Sequence, residues 1–492
     1  AYNSNLITRS KEVQQFMAIG RDEDGNIIYN ETAKGQESLG YKNEVDGYKT
    51  TYLEGSITYD RLFNDVHRVG ALFLYNHKIK NYTATGDAQT SLPYKNQGIA
   101  GRITYSYNDR YFVEGNIGYN GSENFSPGKR FGVFPAGALG WMVSNEKFFQ
   151  PITSVIDVLK IKGSYGIVGN DQIGGSRRFI YEATIKQSDV PSYQFGETGN
   201  YNPGAIRIGE WANANVGWEQ AYKTNIGLEL SLFRKLKLQG DVFHEKREGI
   251  FMQRAALPGL VGLSTTPWVN VGKMKNQGFD GTVEYEQTIG DFVLTGRGNF
   301  TYSQSEILDN DEPDWKNLYQ NRIGKPYGQL FGLEALGLFQ SQEEIDNSPT
   351  QSFGAVRVGD IKYNDINGDG LINEEDVVAI GHSNIPKINY GFGGTLQWKG
   401  IDVSVFFQGI SKVSYFLSGN SIYGFNSGSL TRAAINEDVY LNRWTEDNPM
   451  AKYPRLDSKA NTNNNRNSTF RMIDGSFLRF KNAEIGYTFP KK

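Results

Sequence analysis

Residues 103–119, ITYSYNDRYFVEGNIGY, decide the fold. In the second half, apolar Tyr111, Val113, Ile117 and Tyr119 alternate with polar Glu114 and Asn116. A period of two describes a strand with one greasy face and one polar face, and no helical spacing reproduces it. Asn108-Asp109, between the halves, is the chemistry of a tight hairpin turn.

The same alternation recurs outward from this hairpin. It appears in Ile226, Leu228, Leu230 and Leu232 against Glu229 and Ser231, in Tyr390, Phe392, Leu396 and Trp398, and in Val403, Val405 and Phe407. Thirteen strands are predicted, at 48–62, 66–80, 95–108, 110–121, 131–144, 156–168, 218–232, 236–248, 278–288, 292–305, 387–398, 401–411 and 476–489. Most exceed the five or six residues usual in soluble sheets and are long enough to cross a bilayer at a tilt.

The connections sort into two sets. Every second one is compact: 63–65, 108–109, 145–155, 233–235, 289–291 and 399–400. Those between them run 81–94, 122–130, 169–217, 249–277, 306–386 and 412–475. A meander with one short-turned edge and one long-looped edge is the pattern of an outer-membrane β-barrel, with short periplasmic turns and long extracellular loops. Aromatics gather near the short-turn edge, at Tyr59, Phe63, Tyr107, Tyr111, Phe112, Trp141, Phe233, Phe292, Trp398, Tyr487 and Phe489, as an interfacial girdle requires. The predicted fold class is therefore all-β, an antiparallel transmembrane barrel.

Composition agrees. The 492 residues include 57 Gly, 29 Tyr and 29 Phe, with no Cys. No apolar run is long enough for a transmembrane helix, and a mean hydropathy of -0.51 says little about a barrel, whose strands show lipid only alternate residues. A net charge of -3 with dispersed Lys and Arg argues against nucleic acid as a partner. Thirteen strands would leave the first and last running the same way, so closure by antiparallel pairing fails. The expectation is a portion of one larger barrel over 1–492, lacking strands at one or both ends.

A second informative stretch is 359–392, GDIKYNDINGDGLINEEDVVAIGHSNIPKINYGF. Asp365, Asn367, Asp369, Leu371, Asn373 and Asp376 fall at positions 1, 3, 5, 7, 9 and 12 of a calcium loop, with Gly370 at the sharp bend. Alternate side-chain oxygens and one backbone carbonyl suit a hard cation. Asp376 replaces the usual Glu and shortens the bidentate reach. No helical pattern flanks the loop, so the expectation is structural Ca²⁺ stapling the long extracellular loop 306–386.

These features resemble the SusC/RagA-type TonB-linked outer-membrane transporters of Bacteroidota. The resemblance rests on Gly140-Trp141, Asn145-Glu146-Lys147-Phe148, the run Leu159 to Gly166 with Gly169-Asn170, and Gly359-Asp360-Ile361-Lys362-Tyr363. It continues through Pro386 to Phe392, Phe406-Phe407-Gln408-Gly409, and Phe477 to Asn482 with Gly486-Tyr487. It implies import of a large nutrient, commonly an oligosaccharide and sometimes a peptide, through a barrel set in outer-membrane lipid. It also implies a SusD-like surface lipoprotein as lid, and energy from the TonB complex acting on an N-terminal plug. The chain then corresponds to the C-terminal barrel portion, without plug or TonB box, and should not transport alone.

Loop aromatics are the candidate sugar contacts, because pyranose C–H faces pack on aromatic planes. By position these are Trp211, Trp268, Trp315, Tyr319, Tyr415, Tyr423 and Trp444. Catalysis has no support. His67, His77, His244 and His382 are isolated, G-x-S-x-G and P-loop patterns are absent, the glycines at 166, 169, 174 and 175 precede no helix, and adjacent Glu374 and Glu375 cannot flank a glycosidic bond. A calcium-stiffened surface adhesin and a hydrolase with a dockerin-like loop are the competing readings. A plug and TonB box upstream select the transporter over both.

Overall fold

The computed structural model describes residues 2–11, 13–83, 88–173, 177–186, 194–202, 204–263, 265–423, 435–457 and 460–490. Fourteen strands form one antiparallel sheet in which each strand pairs with the next one along the chain. They are β1 (Tyr2–Ser10), β2 (Gly40–Phe63), β3 (His67–Tyr82), β4 (Tyr94–Tyr107), β5 (Tyr111–Ser122), β6 (Phe131–Met142) and β7 (Ile156–Asn170). The rest are β8 (Glu219–Leu232), β9 (Leu236–Gln253), β10 (Trp268–Ile289), β11 (Phe292–Asp309), β12 (Ile388–Trp398), β13 (Ile401–Ser411) and β14 (Phe477–Tyr487).

The thirteen predicted strands correspond to β2–β14. The count itself is corrected: β1, paired with Gly40 to Tyr48 of β2, makes fourteen. With an even number the first and last strands run in opposite senses, so the parity argument against closure falls. A separate hairpin pairs Gln15–Arg21 with Ile27–Ala33. The larger departures lie at the long-loop edge, where β10 starts at Trp268 rather than 278 and β9 runs to Gln253 rather than 248.

Side chains are distributed inside out relative to a soluble protein. On β5, Tyr111, Val113, Ile117 and Tyr119 are between 43% and 53% exposed, while Phe112, Glu114 and Asn116 are half-buried. The exposed set continues across the ladder, with Tyr105 and Leu139 opposite Val113 and with Ile99 and Val133 opposite Tyr119. Such a face is stable only against lipid. Phe112 leaves the predicted girdle, since period two turns it away from Tyr111, and Lys160 Nζ lies 5.4 Å from its ring centre.

The opposite face is laced with charge. Arg102 meets Glu114 at 2.6 Å, and Lys162 reaches Glu229 at 3.2 Å and Asp241 at 3.5 Å. Arg247 bridges Glu219 at 3.1 Å and Glu245 at 2.8 Å. A polar interior of this kind is the lumen side of a barrel.

The short-edge turns are built for the strand twist. Asn64, Asp65, Asn108 and Asp109 all have φ between 49° and 58°, which the two central residues of a primed turn demand and Asn and Asp tolerate. Phe233 and Arg234 adopt the same conformation less comfortably, at 55° and 57°. Asp157 accepts from the Arg234 amide at 2.8 Å and the Val155 carbonyl accepts from Phe233 at 2.8 Å, which holds that turn. Apolar cores, by contrast, lie in the long connections. One gathers Phe125, Ile173, Ile180 and Val216, and the other gathers Leu333, Leu338, Ile361, Tyr363 and Ile372.

Ile117→Lys places a charge on the lipid face near mid-depth, and denaturant titration in lipid vesicles should show a loss of about 2–4 kcal/mol. Asn116→Lys, one residue away on the charged face, should change stability by about 0.5 kcal/mol or less.

Candidate functional site

The site lies at the long-loop edge, where connections 310–387 and 412–476 fold against each other. Leu333, Ile361 and Ile372 are wholly buried, and Trp444, Ala451 and Phe470 of the second connection pack on that cluster. Each buried aliphatic contributes roughly 1.5–3 kcal/mol. The Trp444 ring lies over Gly359, where any Cβ would run into it, and Gly359 has φ of 88°. Only glycine fits there.

A polar clamp joins the same two segments. Asp360 is fully buried, and its Oδ1 accepts from Asn461 Nδ2 at 3.0 Å and Asn464 Nδ2 at 2.8 Å. Its Oδ2 accepts from the Arg357 amide at 2.8 Å and from Arg455 Nη2 at 3.1 Å. Arg455 Nε approaches Oδ1 at 2.8 Å as an ion pair but not in hydrogen-bond geometry. Asn464 Oδ1 accepts from the Ile361 amide at 2.9 Å, and Gln351 receives the Tyr363 amide at 2.7 Å while donating to Asn463 Oδ1 at 2.8 Å. Burial pushes the Tyr363 hydroxyl well above its ordinary value, so it stays protonated and donates to the Asn463 carbonyl at 2.7 Å. Burial also lowers the Arg471 guanidinium, which donates to the Asn464 carbonyl at 3.0 Å.

The acidic loop adjoins this clamp. Asp365 accepts from the Gly368 and Gly370 amides, each at 2.8 Å, and Asp369 accepts from Leu371 at 2.8 Å. Buried Asp376 caps a short turn, accepting from the Ile366 amide at 2.9 Å and the Asn373 amide at 2.8 Å, and Asn373 Oδ1 takes the Glu375 amide. Gly370 has φ of 82°, as a sharp bend requires. All six predicted ligands therefore share one loop, and the donor chemistry suits a hard cation. Their oxygens face backbone amides, however, and among the described residues no three His, Asp or Glu side chains gather around one point. The Asp365 oxygens each keep a lone pair beyond the one amide bond they accept, whereas Asp376 Oδ1 accepts from both the Ile366 and Asn367 amides. The loop is also tied outward, by Lys316 to Glu375 at 2.7 Å, by Tyr319 to the Glu375 carbonyl at 2.7 Å and by Arg466 to Glu374. The Glu375 carboxylate holds the Lys316 amine above its usual value.

The seven candidate aromatics do not converge. Trp211 donates Nε1–H to the Thr265 carbonyl at 2.9 Å, and Trp268 stacks on Phe251 at 5.1 Å with the Arg177 guanidinium 3.9 Å above. Trp315 donates Nε1–H to Glu312 at 3.0 Å, Tyr319 stands beside the acidic loop, Tyr415 packs against Gly475, and Tyr423 lies 5.1 Å from the Arg471 guanidinium. Trp444 is committed to the loop core. Trp315 and Tyr415 are each 40% exposed.

None of the seven lines the cavity of about 980 Å³ at this edge. Its walls are the upper ends of β8–β11, with Glu219, Glu245, Arg247 and Lys273 in the lining, and its roof is the two roots of connection 310–387, with Arg322, Lys325, Tyr327, Phe331 and Lys387. Reading loop tips for aromatics missed these residues. The available signal was position, since 322–331 and 383–387 sit where the longest connection leaves β11 and rejoins β12.

Comparison with known proteins agrees with this geometry. The family model described as "TonB dependent receptor-like, beta-barrel" matches residues 4–492. The chain is 27% identical over 482 residues to TonB-dependent receptor P26 of Formosa agariphila, covering 92% of this chain and 46% of that protein. It is 22% identical over 431 residues to TonB-dependent receptor SusC of Bacteroides thetaiotaomicron, covering 84% and 39%. The chain thus spans about half or less of the length of these relatives. Among solved structures, the RagAB peptide transporter superposes with a TM-score of 0.68 at 20% identity, covering 92% of this chain and 50% of that one.

Asn464→Ala leaves the Ile361 amide without its acceptor and Asp360 short of one donor. A local cost of about 2–5 kcal/mol is expected, read as faster limited proteolysis within 412–476 while the strand region stays resistant.

Proposed function

This chain belongs to the TonB-dependent receptor β-barrel family of the outer membrane, whose members are receptors and transporters rather than enzymes, and from that premise we propose that it is part of a SusC/RagA-type importer. The cargo is a large nutrient, an oligosaccharide, taken up with a SusD-like surface lipoprotein and with energy delivered by the TonB complex. The observation that carries this reading is the cavity at the loop edge, whose walls are the same inward charged face that runs down the sheet. A binding space continuous with a polar lumen serves passage. A surface adhesin needs outward loops only.

Within this reading, Trp315 and Tyr415 are proposed as outer sugar contacts. Calcium is proposed as a structural ligand of 365–376, drawing Asp365, Asn367, Asp369, Asn373, Asp376 and the Leu371 carbonyl around one ion and stiffening the surface on which the lipoprotein rests.

Cells carrying the full-length protein and its companion lipoprotein should accumulate a labelled oligosaccharide, and deletion of TonB should abolish the uptake. Uptake unaffected by TonB would exclude the importer and favour the adhesin. Calcium titrated into chelated full-length protein should release measurable heat and slow proteolysis of 310–387. Asp365→Ala with Asp369→Ala should remove both effects, and a flat titration of the unaltered protein would rule out the metal.

A further inference from the structure

The mouth cavity has an uneven charge once its internal pairs are removed. Arg247 and Lys223 together balance Glu219 and Glu245, with Lys223 3.2 Å from Glu245, and Lys273 stands 3.9 Å from Asp309. The side chains of Arg322, Lys325 and Lys387 have no carboxylate partner among the described residues, although the Glu312 carboxylate accepts from the Arg322 main-chain amide at 3.0 Å. Arg322 instead lies 5.0 Å from the Phe331 ring centre. Three cations are left facing about 980 Å³ of space.

Two of them are set at fixed points. The Lys387 carbonyl accepts from the Ser303 amide and the Lys325 carbonyl from the Ile307 amide, each at 2.9 Å. Their main chains are thus pinned to β11 four residues apart, about 13 Å at the rise of a strand. Ammonium groups rooted that far apart suit an extended chain with charge on separate units. The lining also includes Asn310, whose buried Oδ1 has no donor and would accept from a hydroxyl. Ile250, Met274 and Ile307 give an apolar surface for ring C–H faces.

We infer that this cavity is the anion-recognising subsite of the importer, and that its cargo is an oligosaccharide carrying carboxylate or sulfate groups on more than one sugar. The inference rests on the importer reading and names its substrate class. Ammonium and guanidinium donors make charge-assisted hydrogen bonds to such groups, roughly twice as strong as neutral ones. A peptide held through its backbone would need a free strand edge. The edge of β11 above Tyr302 is already closed by Lys387, Lys325 and Gly324.

The test is calorimetry on the full-length protein with a uronic-acid hexasaccharide, a neutral glucan hexasaccharide and hexaglutamate. The uronate should bind at least about tenfold tighter than either other probe, and 500 mM NaCl should weaken it sharply. Lys325→Gln with Lys387→Gln should cost the uronate about tenfold and leave any neutral binding within about twofold. Heat-dependent gel migration confirms that the variant is folded. Equal binding of the neutral glucan, an unaffected double variant, hexaglutamate matching the uronate, or no uronate binding at all each overturns the inference. TonB-dependent uptake that favours a neutral glycan overturns the subsite alone and leaves the importer standing.

Discussion

In hydrocarbon, a peptide N–H or C=O without a partner costs several kcal/mol, and the rest of this structure follows from that cost. Only a continuous ladder satisfies every such group along a strand. The fourteen-strand meander does so for its inner strands by pairing each with its sequence neighbours, which keeps the connections local and every second one short. Once the backbone is laddered, side chains have two destinations only. Those facing lipid must be apolar, and those facing the lumen can carry the Arg102–Glu114 and Lys162–Glu229 pairs. The alternation of greasy and polar residues is a record of that division.

This is why the transmembrane part was legible in the sequence and the part above it was not. Where one face meets lipid, as along β5, the pattern is strict and its phase gives the side of each residue. Phe112 was misplaced only by grouping aromatics on position while ignoring that phase. Toward the long loops both faces meet water and the constraint relaxes. Tyr2–Ser10 reads YNSNLITRS, with apolar Leu6 beside apolar Ile7, so no alternation marks it. Its pairing with Gly40 to Tyr48 is set by the partner strand.

The loop core was hidden for a different reason. Its defining bonds join residues about a hundred positions apart, such as Asn464 to Asp360 and Tyr363 to Asn463, and no local pattern announces them. The Asn-rich run 461–467 looks like flexible linker composition. Its buried members are instead satisfied by backbone and side-chain partners, which gives a single geometry where an apolar patch would allow sliding. The acidic loop shows the converse. Its spacing suits a cation, yet the same oxygens also suit the amides of a tight turn, and spacing alone does not separate those uses.

These two levels of order meet at the cavity. Its walls are strands held by the membrane ladder, while its roof is hung from β11 by Lys325 and Lys387 and continues into the pairing of Gln329–Gly332 with Val378–Ser383. Beyond that pair lie the acidic loop and the Asn clamp, which bind 310–387 to 412–476. A roof tied this way cannot lift one residue at a time, because breaking the Lys387 or Lys325 bond alone would strand a partly buried amide of β11 at about 1–3 kcal/mol. Access to the cavity therefore favours movement of the two connections as one body about their strand roots. A lid that rests on their outer surface would couple to the cavity through that shared motion, not through any contact with the bound ligand.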